Sequence, residues 1–92
     1  MLTEKQWHLQ VTDLARYHGW RYYHTFDSRR SAAGFPDLVL FRPGRFLMAE
    51  LKTDKGSLTA AQKEMINDLT DAGVDVALWR PDDFDQICEV LK

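Results

Sequence analysis

Apolar positions recur at helical spacing near the start of the chain, in short strand-like runs through its middle, and at helical spacing again beyond. Trp7, Val11, Leu14 and Ala15 fall at i, i+4, i+7 and i+8, one stripe of an α-helix. Thr3 and Gln6 open that helix in capping-box form, and Gly19 closes it. The aromatic run 20–26 reads as a strand and the polar stretch 27–33 as a loop. Residues 34–40 and 45–52 read as two further strands, joined by the turn sequence Arg42-Pro43-Gly44-Arg45. Thr59 and Gln62 repeat the capping box, Met65, Ile66, Leu69 and Ala72 supply a second buried stripe, and Gly73 stops it. Residues 74–79 read as a strand, and Pro81-Asp82 introduces a last helix with Phe84, Ile87, Cys88 and Leu91 inward. The predicted order is α-β-β-β-α-β-α, an α/β fold with a four-stranded mixed sheet flanked by helices. The helix over 59–72 spans a crossover, which predicts that the third and fourth strands run parallel. With no repeat or low-complexity tract, residues 1–92 read as one domain.

Two acids interrupt the central apolar runs at matched depth. Asp37 precedes Leu38-Val39-Leu40-Phe41, and Glu50 follows Phe46-Leu47-Met48-Ala49. A two- or four-residue connection sets Phe41 against Phe46, Val39 against Met48 and Asp37 against Glu50. A three-residue loop would shift the register by one and break that pairing. Directly opposed Cβ atoms lie about 4.5–5.5 Å apart, so two carboxylates there repel unless a cation sits between them. Lys52 shares the Glu50 face, while Leu51 turns inward. The simpler reading is a solvated Glu-x-Lys ion pair at a strand end. Charges embedded in two neighbouring apolar strands cost free energy unless paired or bound to metal. That cost favours a metal-holding carboxylate pair with an ammonium beside it, the equipment for cutting a phosphodiester.

Composition narrows the setting. The chain of 92 residues is 45% hydrophobic and 12% aromatic, which argues a packed globule. No apolar run approaches the roughly 18 residues that would cross a bilayer, and the first residues lack signal-peptide features. Cys88 is the single cysteine, so an internal disulfide and a Cys-based zinc site are excluded, and its place on a helical stripe predicts a buried, inert thiol. An intracellular, cytoplasmic protein is expected. The net charge of −2 hides an asymmetry: residues 16–52 carry seven basic side chains against three acidic, and residues 53–92 four against nine. The positive third contains the proposed site, which is the sign a polyanion needs.

Asp37 with Glu50-Leu51-Lys52 on a hairpin, flanked by helices in this order, resembles the PD-(D/E)xK nuclease superfamily and its restriction-endonuclease-like fold. More narrowly, the chain resembles a stand-alone VRR-NUC domain over nearly its whole length. The carriers are Gly34-Phe35-Pro36-Asp37-Leu38, Glu50-Leu51-Lys52, Gly56-x-Leu58-Thr59-x-x-Gln62 and Val76-x-x-Trp79-Arg80-Pro81. The resemblance implies Mg²⁺- or Mn²⁺-dependent endonucleolytic cleavage of DNA, often branched DNA such as flaps or four-way junctions, in repair or recombination. It also implies homodimers, and it adds Glu4 and the Leu51 backbone carbonyl to the metal ligands. A small-molecule organic cofactor and a membrane partner are not expected. The compact size suggests, by analogy, a phage or mobile-element setting.

Each remaining candidate has a plainer alternative. Asp37 and Glu50 would hold Mg²⁺, which keeps several waters and shares phosphate oxygens, and Lys52 would serve the attacking water. Glu4 is also what the first turn of any helix favours. Gln62 either completes a capping box or reaches the site. Ser28, Arg29 and Arg30 are candidate contacts to the DNA backbone and, more weakly, so are Lys55, Arg42 and Arg45. His24 could assist near the metal or be structural. Tyr17, Trp20, Tyr22 and Tyr23 could stack on bases, but core packing is the expected use. Rival readings are a catalytically silent nucleic-acid-binding module, a partner-binding subunit working through its acidic half, and a duplex-specific restriction enzyme.

Overall fold

A computed structural model describes residues 2–25 and 32–92. The elements are α1 (Glu4–Tyr17), β1 (Arg21–His24), β2 (Leu38–Arg42), β3 (Arg45–Leu51), α2 (Ala60–Asp71), β4 (Val76–Trp79) and α3 (Phe84–Leu91), with a short 3-10 turn at Pro81–Asp83 before α3. This is the expected order. The sheet order is β1-β2-β3-β4, antiparallel except for the parallel β3–β4 pair that follows the α2 crossover.

Register follows from the turn. Arg42 pairs with Arg45 and leaves Pro43-Gly44 as a two-residue loop, with Gly44 at φ 82° as the second loop position requires. Phe41 then faces Phe46, Val39 faces Met48, and Leu38 faces Ala49. Asp37 is the next residue out from this ladder, opposite Glu50.

Residues paired across strands share a face. Leu38, Leu40, Leu47, Ala49, Leu51 and Trp79 form one wall of the core, and Trp7, Val11 and Ala15 of α1 with Ile87 and Leu91 of α3 form the other. Indole N–H groups lock the layers: Trp7 Nε1 donates to Trp79 O at 3.3 Å, and Trp20 Nε1 to Leu91 O at 2.8 Å. Burying a Trp, Leu or Ile side chain contributes roughly 1.5–3 kcal/mol each, so this wall carries most of the stability.

Among the described residues, the opposite face is covered only in part. Glu50 opens onto it and meets Gln62 of α2, while Tyr23, Phe41, Phe46 and Leu78 are exposed. Four expectations change here. None of the α2 side chains is buried: Met65, Ile66 and Leu69 are half-buried and Ala72 is exposed, because α2 packs at the β4 side of this face. Cys88 and Phe84 are half-buried rather than interior, since α3 turns only Ile87 and Leu91 fully inward. Tyr17, Tyr22 and Tyr23 are on the surface, and only Trp20 of that aromatic group joins the core. The first strand is also shorter than 20–26: Trp20 precedes it as the hinge from α1, with its N–H bonded to Ala15 O, and Phe26 lies outside the described residues.

Candidate metal and phosphodiester site

Where β2 begins and β3 ends, both carboxylates are held by the backbone geometry of the hairpin. Asp37 Oδ2 accepts a hydrogen bond from Leu51 N at 2.8 Å, and the Asp37 carbonyl accepts from Thr25 N at 2.9 Å. The acid is therefore fixed from both neighbouring strands. Glu50 is 2% exposed, in the middle of the sheet, with Leu51 buried on the other face. Lys52 Nζ lies 3.6 Å from Glu50 Oε2. The strand alternation expected for Glu50-Leu51-Lys52 is what the chain adopts.

Gln62 performs both of the jobs weighed for it. Its Oε1 accepts from Thr59 N at 2.9 Å, completing the α2 capping box, and its Nε2 donates to Glu50 Oε2 at 3.0 Å. The approach of α2 that makes this possible depends on Gly34. At φ 80° its Cα faces the first turn of α2, and a Cβ there would collide with Ala61 O and Gln62 N. The Gly-Phe-Pro-Asp run and the Gln62 helix are thus one packed unit.

A cavity of about 190 Å³ opens between these groups, walled by Glu4, Asp37, Glu50, Lys52 and Gln62, with Thr53 and Gly56 at its rim. Glu4 is exposed at the start of α1 yet lines it, as the ligand role requires. Arg80 secures the rim, donating from Nη1 to Thr53 O at 2.7 Å and Gly56 O at 2.6 Å. Two residues of this neighbourhood escaped sequence reasoning. Arg80 belongs to the acidic half, and its place in the Val76-x-x-Trp79-Arg80-Pro81 run was noted without a role at the site. His8 stands one helical turn beyond Glu4, and that i, i+4 spacing was the available signal.

His8 Nδ1 and His24 Nε2 are 2.9 Å apart, and His8 Nε2 lies 4.0 Å from Asp37 Oδ2. Burial, then the neighbouring His8, lower the His24 pKa, with Asp37 opposing. Lys55 is exposed in the loop before α2. Ser28, Arg29 and Arg30 lie outside the described residues. Arg42 and Arg45 are engaged away from the carboxylates. Arg42 donates to His18 O at 2.7 Å and Lys92 O at 2.8 Å, Arg45 to Val90 O at 2.7 Å, and both guanidinium groups stack on Trp20. The hairpin tip points away from the carboxylates and ties down two helix ends instead.

The electrostatics ask for a cation. Glu50 is pushed up to about 7, first by burial and then by the Asp37 charge, with Lys52 pulling the other way. A carboxyl that keeps its proton up to near neutrality, through burial first and a neighbouring acid second, becomes a hard-cation ligand when the ion displaces that proton. Among the described residues no three His, Cys, Asp or Glu side chains form a ready-made cage. Mg²⁺ does not need one, since it binds through one or two carboxylates and keeps its waters. The donor set fits such an ion.

Sheet order, hairpin register and the Asp…Glu-x-Lys placement define a restriction-endonuclease-like α/β domain. The chain belongs to the VRR-NUC domain family, whose model matches residues 2–82. It is 41% identical over 54 residues to the Fanconi-associated nuclease 1 homolog of Schizosaccharomyces pombe, a match that covers 56% of this chain and 8% of that protein. A solved VRR_NUC domain protein superposes with a TM-score of 0.75 at 24% identity, covering 97% of this chain and 84% of that one. Hjc of Archaeoglobus fulgidus, a Holliday junction resolvase, superposes with a TM-score of 0.56 at 21% identity over 80% of this chain and 64% of its own. These two likenesses are of fold. Among the described residues no helix is long and apolar enough to cross a membrane.

Proposed function

We propose that the chain is a Mg²⁺- or Mn²⁺-dependent endodeoxyribonuclease that acts on branched DNA. The observation that carries this reading is Glu50, an acid 2% exposed, against Asp37 with an ammonium 3.6 Å away. Membership of the VRR-NUC family and the nuclease named among its relatives support it.

Asp37 and Glu50 would hold the ion, with Glu4 and the Leu51 carbonyl completing the protein share of its ligands. A divalent cation bound there supplies charge neutralisation at the phosphate and lowers the pKa of water. Gln62 keeps Glu50 oriented through its 3.0 Å bond. Lys52 orients the attacking water and balances the charge that builds on the phosphate oxygens. Water attacks phosphorus in line and gives up a proton to solvent as the new P–O bond forms, while the opposite P–O bond to the leaving strand breaks and its oxygen takes up a proton from solvent. Ser28, Arg29, Arg30 and Lys55 would contact the sugar-phosphate backbone, which positions DNA without reading its sequence.

A homodimer completes the reading. A domain with a Cα radius of gyration of 12.7 Å spans too little duplex to address both strands of a junction. Two copies would offer two sites. Tyr23, Phe41, Phe46 and Leu78, exposed on one sheet face, are the kind of apolar surface that protein partners cover. The same surface favours, as a second reading, a binding module that keeps the fold without turnover.

Incubation of a labelled four-way junction, a flap and a linear duplex with Mn²⁺ separates the readings. Cleavage of the branched substrates, lost in EDTA and in Lys52→Ala, is expected. Retarded but uncut DNA in every lane would establish the binding module instead.

A further inference from the structure

We infer that His8 is a positioning residue of the carboxylate centre, its Nε2–H turned toward Asp37 Oδ2 with His24 holding its ring. The inference rests on the metal reading given above.

Four features of the geometry carry it. His8 follows Glu4 by four residues, so α1 presents both side chains on one face toward β2. Its side chain is 16% exposed, and Nε2 is buried with no hydrogen-bond partner among the described residues. That atom lies 4.0 Å from Asp37 Oδ2, about 1 Å beyond hydrogen-bond reach. Nδ1, on the other side of the ring, is engaged at 2.9 Å with His24 Nε2.

Which nitrogen of His8 carries the proton follows from its neighbours. If Nδ1–H donated to His24, a bare Nε2 lone pair would face the Asp37 carboxylate, a repulsive arrangement. If His24 Nε2–H donates to His8 Nδ1, the His8 proton sits on Nε2 and faces an anion that can accept it. The Asp37 charge selects the second tautomer. A protonated His8 carries a proton on Nε2 as well, so the donor exists in either state.

The consequence concerns the two oxygens of Asp37. Oδ2 already accepts from Leu51 N at 2.8 Å, and the Nε2–H of His8 faces the same oxygen across 4.0 Å, an electrostatic hold on its remaining lone pair rather than a formed hydrogen bond. Oδ1 is left as the oxygen for a cation. A strand N–H and a helix imidazole then fix one acid from two elements. Donors of this outer kind orient metal-binding carboxylates, and losing one typically weakens metal affinity by about 10–100-fold.

The test is calorimetric titration of Mn²⁺ into the native protein, His8→Leu and His8→Gln, with circular dichroism on each. Leucine keeps an apolar body and removes the donor, while glutamine restores an N–H at the reach of Nε2. The expected result is a loss of about 10–100-fold in Mn²⁺ affinity for His8→Leu, with recovery in His8→Gln and unchanged spectra. Native affinity in His8→Leu would overturn the inference while leaving the metal reading intact. A native protein that takes up no Mn²⁺ would end the metal reading itself. Should His8→Leu fail to fold, long-range ¹H–¹⁵N spectra of the native protein at neutral pH decide instead. A proton on His8 Nε2 supports the inference, and one on Nδ1 overturns it.

Discussion

Gln62 Nε2 lies 3.0 Å from Glu50 Oε2 while Oε1 of the same side chain accepts the Thr59 N–H at 2.9 Å. One amide thus joins the start of a helix to the buried acid of a strand. Gln62→Ala removes both bonds. It is expected to destabilise the protein by about 1–2 kcal/mol, the worth of a helix cap and a hydrogen bond to a carboxyl. Mn²⁺ affinity is expected to fall as well, by about tenfold or more. Urea melts in EDTA and a metal titration measure the two effects separately. Gln62→Glu keeps the cap but sets a third anion against Glu50, so it recovers the helix and not the site.

Glu50→Gln is expected to move stability and activity in opposite directions. The amide has the shape of the acid, can still accept from Gln62, and has no charge to bury beside Asp37. In EDTA at pH 8 the variant gains about 1–3 kcal/mol, which for a domain of this size raises Tm by about 4–8 °C per kcal/mol. Cleavage and Mn²⁺ binding are lost. A less stable variant would show that Glu50 serves the fold rather than a ligand.

The pH dependence has a definite sign. Glu50 titrates at about 7 in the folded protein and near its ordinary 4.5 when unfolded, so between these values the folded state binds more protons. Its contribution to stability is complete below about 4.5 and is lost as pH rises through about 7. In EDTA, unfolding free energy is expected to fall across that window, and Glu50→Gln flattens the fall. Mn²⁺ affinity is expected to rise over the same window, because the ion displaces the proton. Denaturant melts at several pH values, with and without Mn²⁺, check both slopes.

Much of this architecture was legible in the chain. Both capping boxes, the turn at Arg42-Pro43-Gly44-Arg45 and the parallel β3–β4 pair follow from local rules, and the structure settles the turn as the two-residue form that brings Asp37 opposite Glu50. What stayed hidden depends on contacts between elements distant in sequence. The arginines of the turn looked like phosphate ligands, but Trp20 offers them a ring and two helix ends offer them carbonyls. Apolar spacing in α2 predicted a buried stripe, yet how far a stripe is buried depends on how much of the facing sheet it covers. His8 carries no motif, and only the meeting of α1 with β1 and β2 places it beside His24 and Asp37.

Arg42→Ala should accordingly behave as a stability variant. It loses two bonds to chain carbonyls, at 2.7 and 2.8 Å, and its stacking on Trp20. A loss of about 1–3 kcal/mol is expected, with DNA affinity at a temperature well below Tm unchanged. A large drop in DNA affinity without a change in melting would return the hairpin tip to the DNA-binding surface.

Gly34→Ala is expected to be more damaging than its size suggests. The residue has φ 80°, and its new methyl group meets the backbone of Ala61 and Gln62, which cannot rotate aside. Strain at positive φ alone costs about 1–3 kcal/mol, and pushing α2 outward also separates Gln62 from Glu50. Thermal melts and the Mn²⁺ titration should fall together in this variant.

Anomalous diffraction at the manganese edge, from crystals of the native protein soaked in Mn²⁺, tests the central claim most directly. The account predicts a peak within coordination distance of both Asp37 and Glu50, at the end of the hairpin. Manganese bound only elsewhere, or no peak at all with the two carboxyl groups turned apart, would contradict it.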